Sequence, residues 1–89
     1  KPGRRRSRVV ELMAREEAFL VYESPHRVAK FLAEVVAVDP ERRVCVGREM
    51  TKIHEEFVVG PASEALSRFS GDEEPKGEFA VLVAGAKLA

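Results

Sequence analysis

The stretch AFLVYESPHRVAKFLAEVV, residues 18–36, decides how this chain folds. Ala18 to Tyr22 is a short apolar, β-branched and aromatic run, the composition of a buried strand. Beyond the junction, Val28, Phe31, Leu32, Val35 and Val36 recur at the spacing of one helical face. Between them, Ser24 offers a hydroxyl to cap orphan amides, and Pro25 has the φ suited to a first helical position. A strand therefore ends and a helix begins within Tyr22-Glu23-Ser24-Pro25-His26-Arg27, where five polar or ionisable groups crowd together. In open α/β sheets, ligands bind where strands lead into helices.

Working outward, Arg4 to Arg15 places Val9, Leu12 and Met13 on one helical face. The second helix closes before Asp39-Pro40. Arg43 to Arg48 and Glu55 to Val59 read as strands, the latter with Phe57 and Val59 on one face and Glu56 and Val58 on the other. The link Glu49 to His54 is densely polar and long for a tight hairpin. Ala62, Ala65, Leu66 and Phe69 give a short helix, residues 70–77 a solvated loop, and Glu78 to Ala84 an alternating strand. The expectation is one α/β domain over residues 1–89, in two or three layers. Helices pack a mixed sheet of about four strands.

Eighty-nine residues suffice for one core. No apolar run is long enough to span a membrane, and no signal-peptide layout follows the first residue, Lys1. The chain is expected to be an excised piece of a longer one, working in the cytoplasm. Cys45 has no second cysteine to pair with, which fits a reducing compartment, and its apolar surroundings predict a small buried core residue. Formal charge sums to zero, yet Lys1, Arg4, Arg5, Arg6 and Arg8 make a basic start and Asp72, Glu73 and Glu74 an acidic loop. The basic group suits RNA or another polyanion. Its plainer reading is a solvated helix face balanced by Glu11, Glu16 and Glu17.

No metal-site spacing is present: His26 and His54 lie far apart, and His54 at a strand start reads as an exposed polar edge. Ser24 lacks the glycines of a nucleophile elbow, and the six glycines form no phosphate loop. Two polar clusters remain at strand ends, Glu23 to Arg27 and Arg48-Glu49-Met50-Thr51-Lys52. If their strands are parallel neighbours, both clusters share one edge of the sheet. Carboxylates there suit ribose or amine groups, and cations suit phosphates. Equally open is an ion-pair network among Glu23, Arg27, Arg48 and Glu49 that binds nothing.

The segments YESPHR (residues 22–27), VGREMTKIHEEFVVG (46–60) and PKGEFAVLVAG (75–85), with the opening KPGRRR, resemble the C-terminal subdomain of the ribosomal RNA small subunit methyltransferase I family. That family lies within the tetrapyrrole methylase superfamily. The resemblance covers essentially the whole chain, in order. It implies an enzyme of two α/β subdomains, usually homodimeric, with S-adenosylmethionine in the cleft between them. Such an enzyme methylates the ribose 2′-hydroxyl of a cytidine in small-subunit ribosomal RNA. By position, the resemblance makes Tyr22, Glu23, Ser24, Arg48, Glu49, Met50 and Thr51 cofactor-side residues. Glu23 becomes a base or orienting acceptor, and Lys52 a cation easing loss of the hydroxyl proton. Arg4, Arg5, Arg6, Arg8, His26, Arg27, Arg48 and Lys52 become contacts to RNA.

The family's N-terminal subdomain, with its glycine- and proline-rich cofactor loops, is absent from these residues. The isolated chain is therefore expected to fold, to lack appreciable transferase activity and to bind cofactor weakly at best. Two rival readings are a non-catalytic RNA- or anion-binding module and a methylase of the same superfamily acting on a corrin or porphyrin precursor. The basic start and the YESPHR cluster speak against the latter.

Overall fold

A computed structural model describes residues 2–51, 53–71 and 77–86, with the main chain alone for residues 2–7, Met50 and Thr51. Three helices, α1 (Pro2–Met13), α2 (Val28–Val38) and α3 (Ala62–Phe69), accompany four strands. These are β1 (Phe19–Glu23), β2 (Arg43–Thr51), β3 (His54–Pro61) and β4 (Glu78–Val83). The strands form one sheet in the order β1-β4-β2-β3.

Every neighbouring pair is antiparallel, which corrects the expected mixed sheet. β1 and β2 do run the same way, but they are not neighbours. The helical crossover through α2 carries the chain past a vacant position, and β4 returns to fill it, antiparallel to both sides. The link after Arg48 is a second correction. Glu49 to Thr51 and His54 are in strand, and pairing runs on to Thr51↔His54 with a register shift between Glu49 and Thr51. Polar composition misled because the described side chains at the hairpin's far end, Glu49, Ile53, His54 and Glu55, are exposed.

The start of α2 is a third. The helix begins at Val28, and its N-cap position, Arg27, makes no side-chain cap bond. Instead the main-chain N–H groups of Arg27 and Val28 both donate to the Ser24 carbonyl, at 3.0 and 3.1 Å. The backbone closes this turn itself, so the Ser24 hydroxyl is not the helix cap, and Pro25 sits in the turn rather than in the helix.

The core lies between the helices and one face of the sheet. Val9 and Met13 of α1, Val28, Phe31, Leu32 and Val35 of α2, and Ala62, Ala65 and Phe69 of α3 meet Val44, Val46, Phe79, Val81 and Val83 in a single buried cluster. Burying side chains of this size stabilises by about 1.5–3 kcal/mol each. All the helical partners in that cluster belong to one layer, so the domain has two layers and the opposite sheet face carries no helix among the described residues. On that open face lie Leu20, Leu82, Cys45 and Val59, aligned across all four strands. Cys45 is thus half-buried on the open face rather than in the core, because alternation gives Val44 and Val46 to the helices.

Arg42, in the α2–β2 connection, is only 5% exposed. Its Nε donates to Asp39 Oδ2 at 3.2 Å. Its Nη1 donates to the carbonyls of Met13, at 3.2 Å, and Ala84, at 3.1 Å. One guanidinium thereby ties the end of α1, the end of β4 and the α2–β2 turn.

Candidate functional site at the strand-end edge

Because β1 and β2 run in the same direction on either side of β4, both deliver their C-terminal ends to one edge of the sheet. Glu23 and Arg48 each pair with Phe79, so the two clusters flank a single residue of the central strand. The expectation of a shared edge holds, although the strands are separated by β4 rather than adjacent. Alternation divides this edge between the two faces of the sheet.

Toward the helices, the row Glu23–Phe79–Arg48–Glu56 is partly shielded. Arg48 Nη2 meets Glu56 Oε1 at 2.7 Å, and the Arg48 side chain is only 17% exposed. Its guanidinium carbon stands 5.9 Å from the Phe69 ring centre and 6.0 Å from that of Phe79. Those two rings meet edge to face, 5.2 Å apart. Arg68 reaches the other oxygen of Glu56 at 3.5 Å. The Arg48 partner that the geometry shows is therefore Glu56, from the neighbouring strand, a pairing that periodicity alone does not reveal.

Toward the open face, Tyr22, Ala80, Gly47 and Phe57 form the next row across all four strands. Tyr22 is 77% exposed and Phe57 67%. Two aromatic side chains thus stand over a floor of small residues. A Cβ added at Gly47 would lie 3.1 Å from Phe57 Cε1, so any larger residue there would push this ring aside by a few tenths of an ångström. Beyond the floor, Glu78, Glu49 and Glu55 make an acidic rim. Together these residues line a shallow slot of about 180 Å³. Gly77 sets the entry to β4 beside it with φ +99°, a conformation suited to glycine.

Of the residues singled out in the sequence, Tyr22, Arg48 and Glu49 line this slot, although Arg48 sends its guanidinium to Glu56, and Glu23 lies on the helix-facing side of the same edge. Ser24 and His26, both exposed, sit in the turn leading into α2, and the exposed Arg27 stands at the helix start. Arg8 is exposed on α1 and ion-paired to Glu11 at 2.7 Å, away from the strand ends in sequence and element. Met50 and Thr51 end β2, with side chains outside the described residues. The side chains of Arg4, Arg5 and Arg6, and all of Lys52, also lie outside them. Sequence reasoning missed Gly47, Phe57, Ala80, Glu55 and Glu78. Their signal was the alternation of β3 and β4, which could be read only once the strand order was known.

A slot with flat aromatic walls, a small-residue floor and carboxylates at its lip suits a planar ring bearing hydroxyl or amino groups. Its volume is below the 300–1,000 Å³ usual for a complete small-molecule site.

No family model matches the chain. Curated relatives do: the ribosomal RNA small subunit methyltransferase I of Borrelia garinii subsp. bavariensis is 42% identical over 81 residues, covering 90% of this chain and 36% of that protein. The protein of the same name from Thermotoga maritima is 37% identical over 84 residues, covering 93% and 37%. That of Bacillus subtilis is 35% identical over 75 residues, covering 84% and 25%. The chain spans about a third of the length of the curated relatives it matches. Over most of its own length, the chain is homologous to ribosomal RNA small subunit methyltransferase I.

Proposed function

We propose that the chain is the C-terminal subdomain of an S-adenosylmethionine-dependent methyltransferase that acts on the 2′-hydroxyl of a cytidine in small-subunit ribosomal RNA. The observation that carries this reading is the common edge at which Tyr22–Glu23 and Gly47–Glu49 flank β4, beside an aromatic slot with a carboxylate rim. The slot fits the flat, hydroxyl-bearing adenosine part of such a cofactor, and its size fits half of a site whose remainder lies on another subdomain.

When bound, the sulfonium cofactor supplies an electrophilic methyl group. The chain's own residues bind and orient. Tyr22 and Phe57 would hold a ring by its faces, with Glu49 accepting hydrogen bonds from ribose hydroxyls or an amine. Glu23, on the same edge, is proposed as the acceptor that orients or removes the substrate's 2′-hydroxyl proton, and Lys52 as the cation that eases its loss. His26, Arg27, Arg8 and the Arg4–Arg6 group are proposed to meet RNA phosphates, which fix position rather than sequence. Arg48 is proposed to join them. The assembled enzyme is proposed to be cytoplasmic and homodimeric.

The deciding experiment is methyl transfer from labelled S-adenosylmethionine to small-subunit ribosomal RNA by a full-length methyltransferase carrying this chain. Label recovered at a cytidine 2′-oxygen is expected, and label at a base or on a tetrapyrrole precursor overturns the assignment. In that enzyme Arg27→Ala should weaken RNA binding by roughly 1–3 kcal/mol and flatten its salt dependence. Unchanged affinity and slope would remove Arg27 from the interface. Calorimetric titration of the 89-residue chain with the cofactor should give no saturation below millimolar concentrations. Micromolar affinity would show that the slot is not half a site.

A further inference from the structure

The strand-end edge differs in charge between its two faces. On the open face stand the exposed carboxylates of Glu49, Glu55 and Glu78. On the helix-facing side, among the described residues, Glu23 and Glu56 are outnumbered by Arg27, Arg48 and Arg68, which come from three different elements. α2 begins there, with exposed Arg27 one turn beyond Ser24, and α3 ends there, its Phe69 ring against that of Phe79. The two helices pack together and run in opposite directions, so the start of one and the end of the other share this end of the helical layer. Arg68, in the last turn of α3, and Arg48, on β2, meet over a single carboxylate, that of Glu56.

Glu56 serves these two cations unequally. Its Oε1 lies 2.7 Å from Arg48 Nη2, whereas its Oε2 is 3.5 Å from Arg68 Nη2, too long for a charge-assisted hydrogen bond. The Arg48 guanidinium is shielded beside the Phe69 and Phe79 rings. That of Arg68 rests against Phe69, 5.9 Å from the ring centre, and its side chain is 54% exposed. One negative charge thus faces two positive ones, and the cation left over is the one that solvent reaches. A place in the last turn also suits the α3 dipole, a role that asks for charge but not for a guanidinium fork.

We propose that Arg68 is a phosphate-binding residue, which exchanges its loose contact with Glu56 for a phosphodiester of the RNA strand. The proposal rests on the RNA reading of the chain and adds to it a residue and a direction of approach. A guanidinium fork matches two phosphate oxygens, and one already resting on a ring loses little freedom when it binds. Arg48 keeps Glu56 paired when Arg68 leaves, so the exchange strands no partly buried charge. The glutamate rim repels a polyanion from the open face, while Arg27, Arg48 and Arg68 attract it on the other. The RNA strand therefore crosses the helix ends, and the slot stays open to a smaller ligand.

Binding of a small-subunit ribosomal RNA fragment to the full-length methyltransferase carrying this chain tests it, by fluorescence anisotropy without cofactor from about 50 to 200 mM salt. Arg68→Gln should weaken binding roughly fivefold or more and lower the slope of log affinity against log salt by about 0.7, the share of one phosphate contact on a single strand. Arg68→Lys should keep the slope and recover only part of the affinity, since an ammonium lacks the fork. Glu56→Gln removes the competing charge and should tighten binding. Glu64→Gln, the same change of charge in the first turn of α3, at the far end of that helix, should not. Equal effects of the two would reduce the matter to net charge and overturn the exchange. Circular dichroism melting identifies any variant that has lost its fold, and Arg68→Gln, at an exposed position, decides if Glu56→Gln does. A purely structural role for Arg68 would move the melt and leave the salt slope where it was. Unchanged affinity and slope in Arg68→Gln overturn the proposal, and a loss of binding in Arg27→Ala then shows that the RNA reading survives it. An unaltered enzyme that binds no RNA overturns both.

Discussion

Arg42 shows how much one side chain can organise. The Met13 carbonyl ends α1 and the Ala84 carbonyl follows β4, and both would be left wanting a donor where water has little access. A guanidinium has enough donors in a fixed fork to serve both and to keep Asp39 as its counter-charge. Removing it leaves three acceptors from three elements without their shared donor. Arg42→Ala should therefore destabilise the fold by about 2–4 kcal/mol in urea unfolding. Arg42→Lys should recover only part of this, since an ammonium cannot span the same geometry. Nothing around Asp39-Pro40 in the sequence marks Arg42, because its role depends on two chain ends that meet only in three dimensions. Cys45 is the converse. An apolar run predicts burial, but only a sheet with one covered face decides which members of the run are buried.

Among the elements, the β2–β3 hairpin carries the candidate site's shielded side. Arg48 and Glu56 are cross-strand partners, and the Phe69–Phe79 pair beneath them limits access of water. A double-mutant cycle on Arg48 and Glu56 should give a coupling of about 0.5–1.5 kcal/mol, above the usual exposed pair. Coupling near zero would mean that the guanidinium is held by the rings alone. The alternation of β3 and β4 and the helical spacing of α1, α2 and α3 were legible in residue order, since periods of 2 and 3.6 are local properties. Hairpin length was not. Glu49, Ile53 and His54 are exposed, so polar side chains there say nothing about whether the backbone pairs. Helix initiation was missed for a similar reason: Ser24 can close the turn with its carbonyl as well as its hydroxyl, and residue identity does not distinguish them.

For the molecule as a whole, topology brings Glu23 and Arg48 together. The strand order could not be read from periodicity, because a strand–helix–strand unit leaves open whether its strands touch. Inserting β4 between them kept the shared edge while reversing the pairing, so the site was foreseen through an incorrect neighbour relation. This architecture also predicts strong dependence on the last strand. β1 has no partner other than β4 among the described residues. A chain ending at Phe69 should lose cooperative thermal unfolding by circular dichroism, with β1 detached and Val44, Val46 and the helices left without Phe79, Val81 and Val83. Retention of a sharp transition would show that β2, β3 and the helices form a unit of their own.

The central position of β4 has a temporal consequence. Synthesis proceeds from the N-terminus, and at 5–20 residues per second the sheet's middle strand is made after both flanking segments have emerged. Until it arrives, β1 and the inner edge of β2 each present unsatisfied backbone groups to the surroundings, next to apolar side chains awaiting cover. The nascent chain must therefore hold an open gap rather than fold strand by strand, and the insertion of Phe79, Val81 and Val83 closes the core and the strand-end edge in one event.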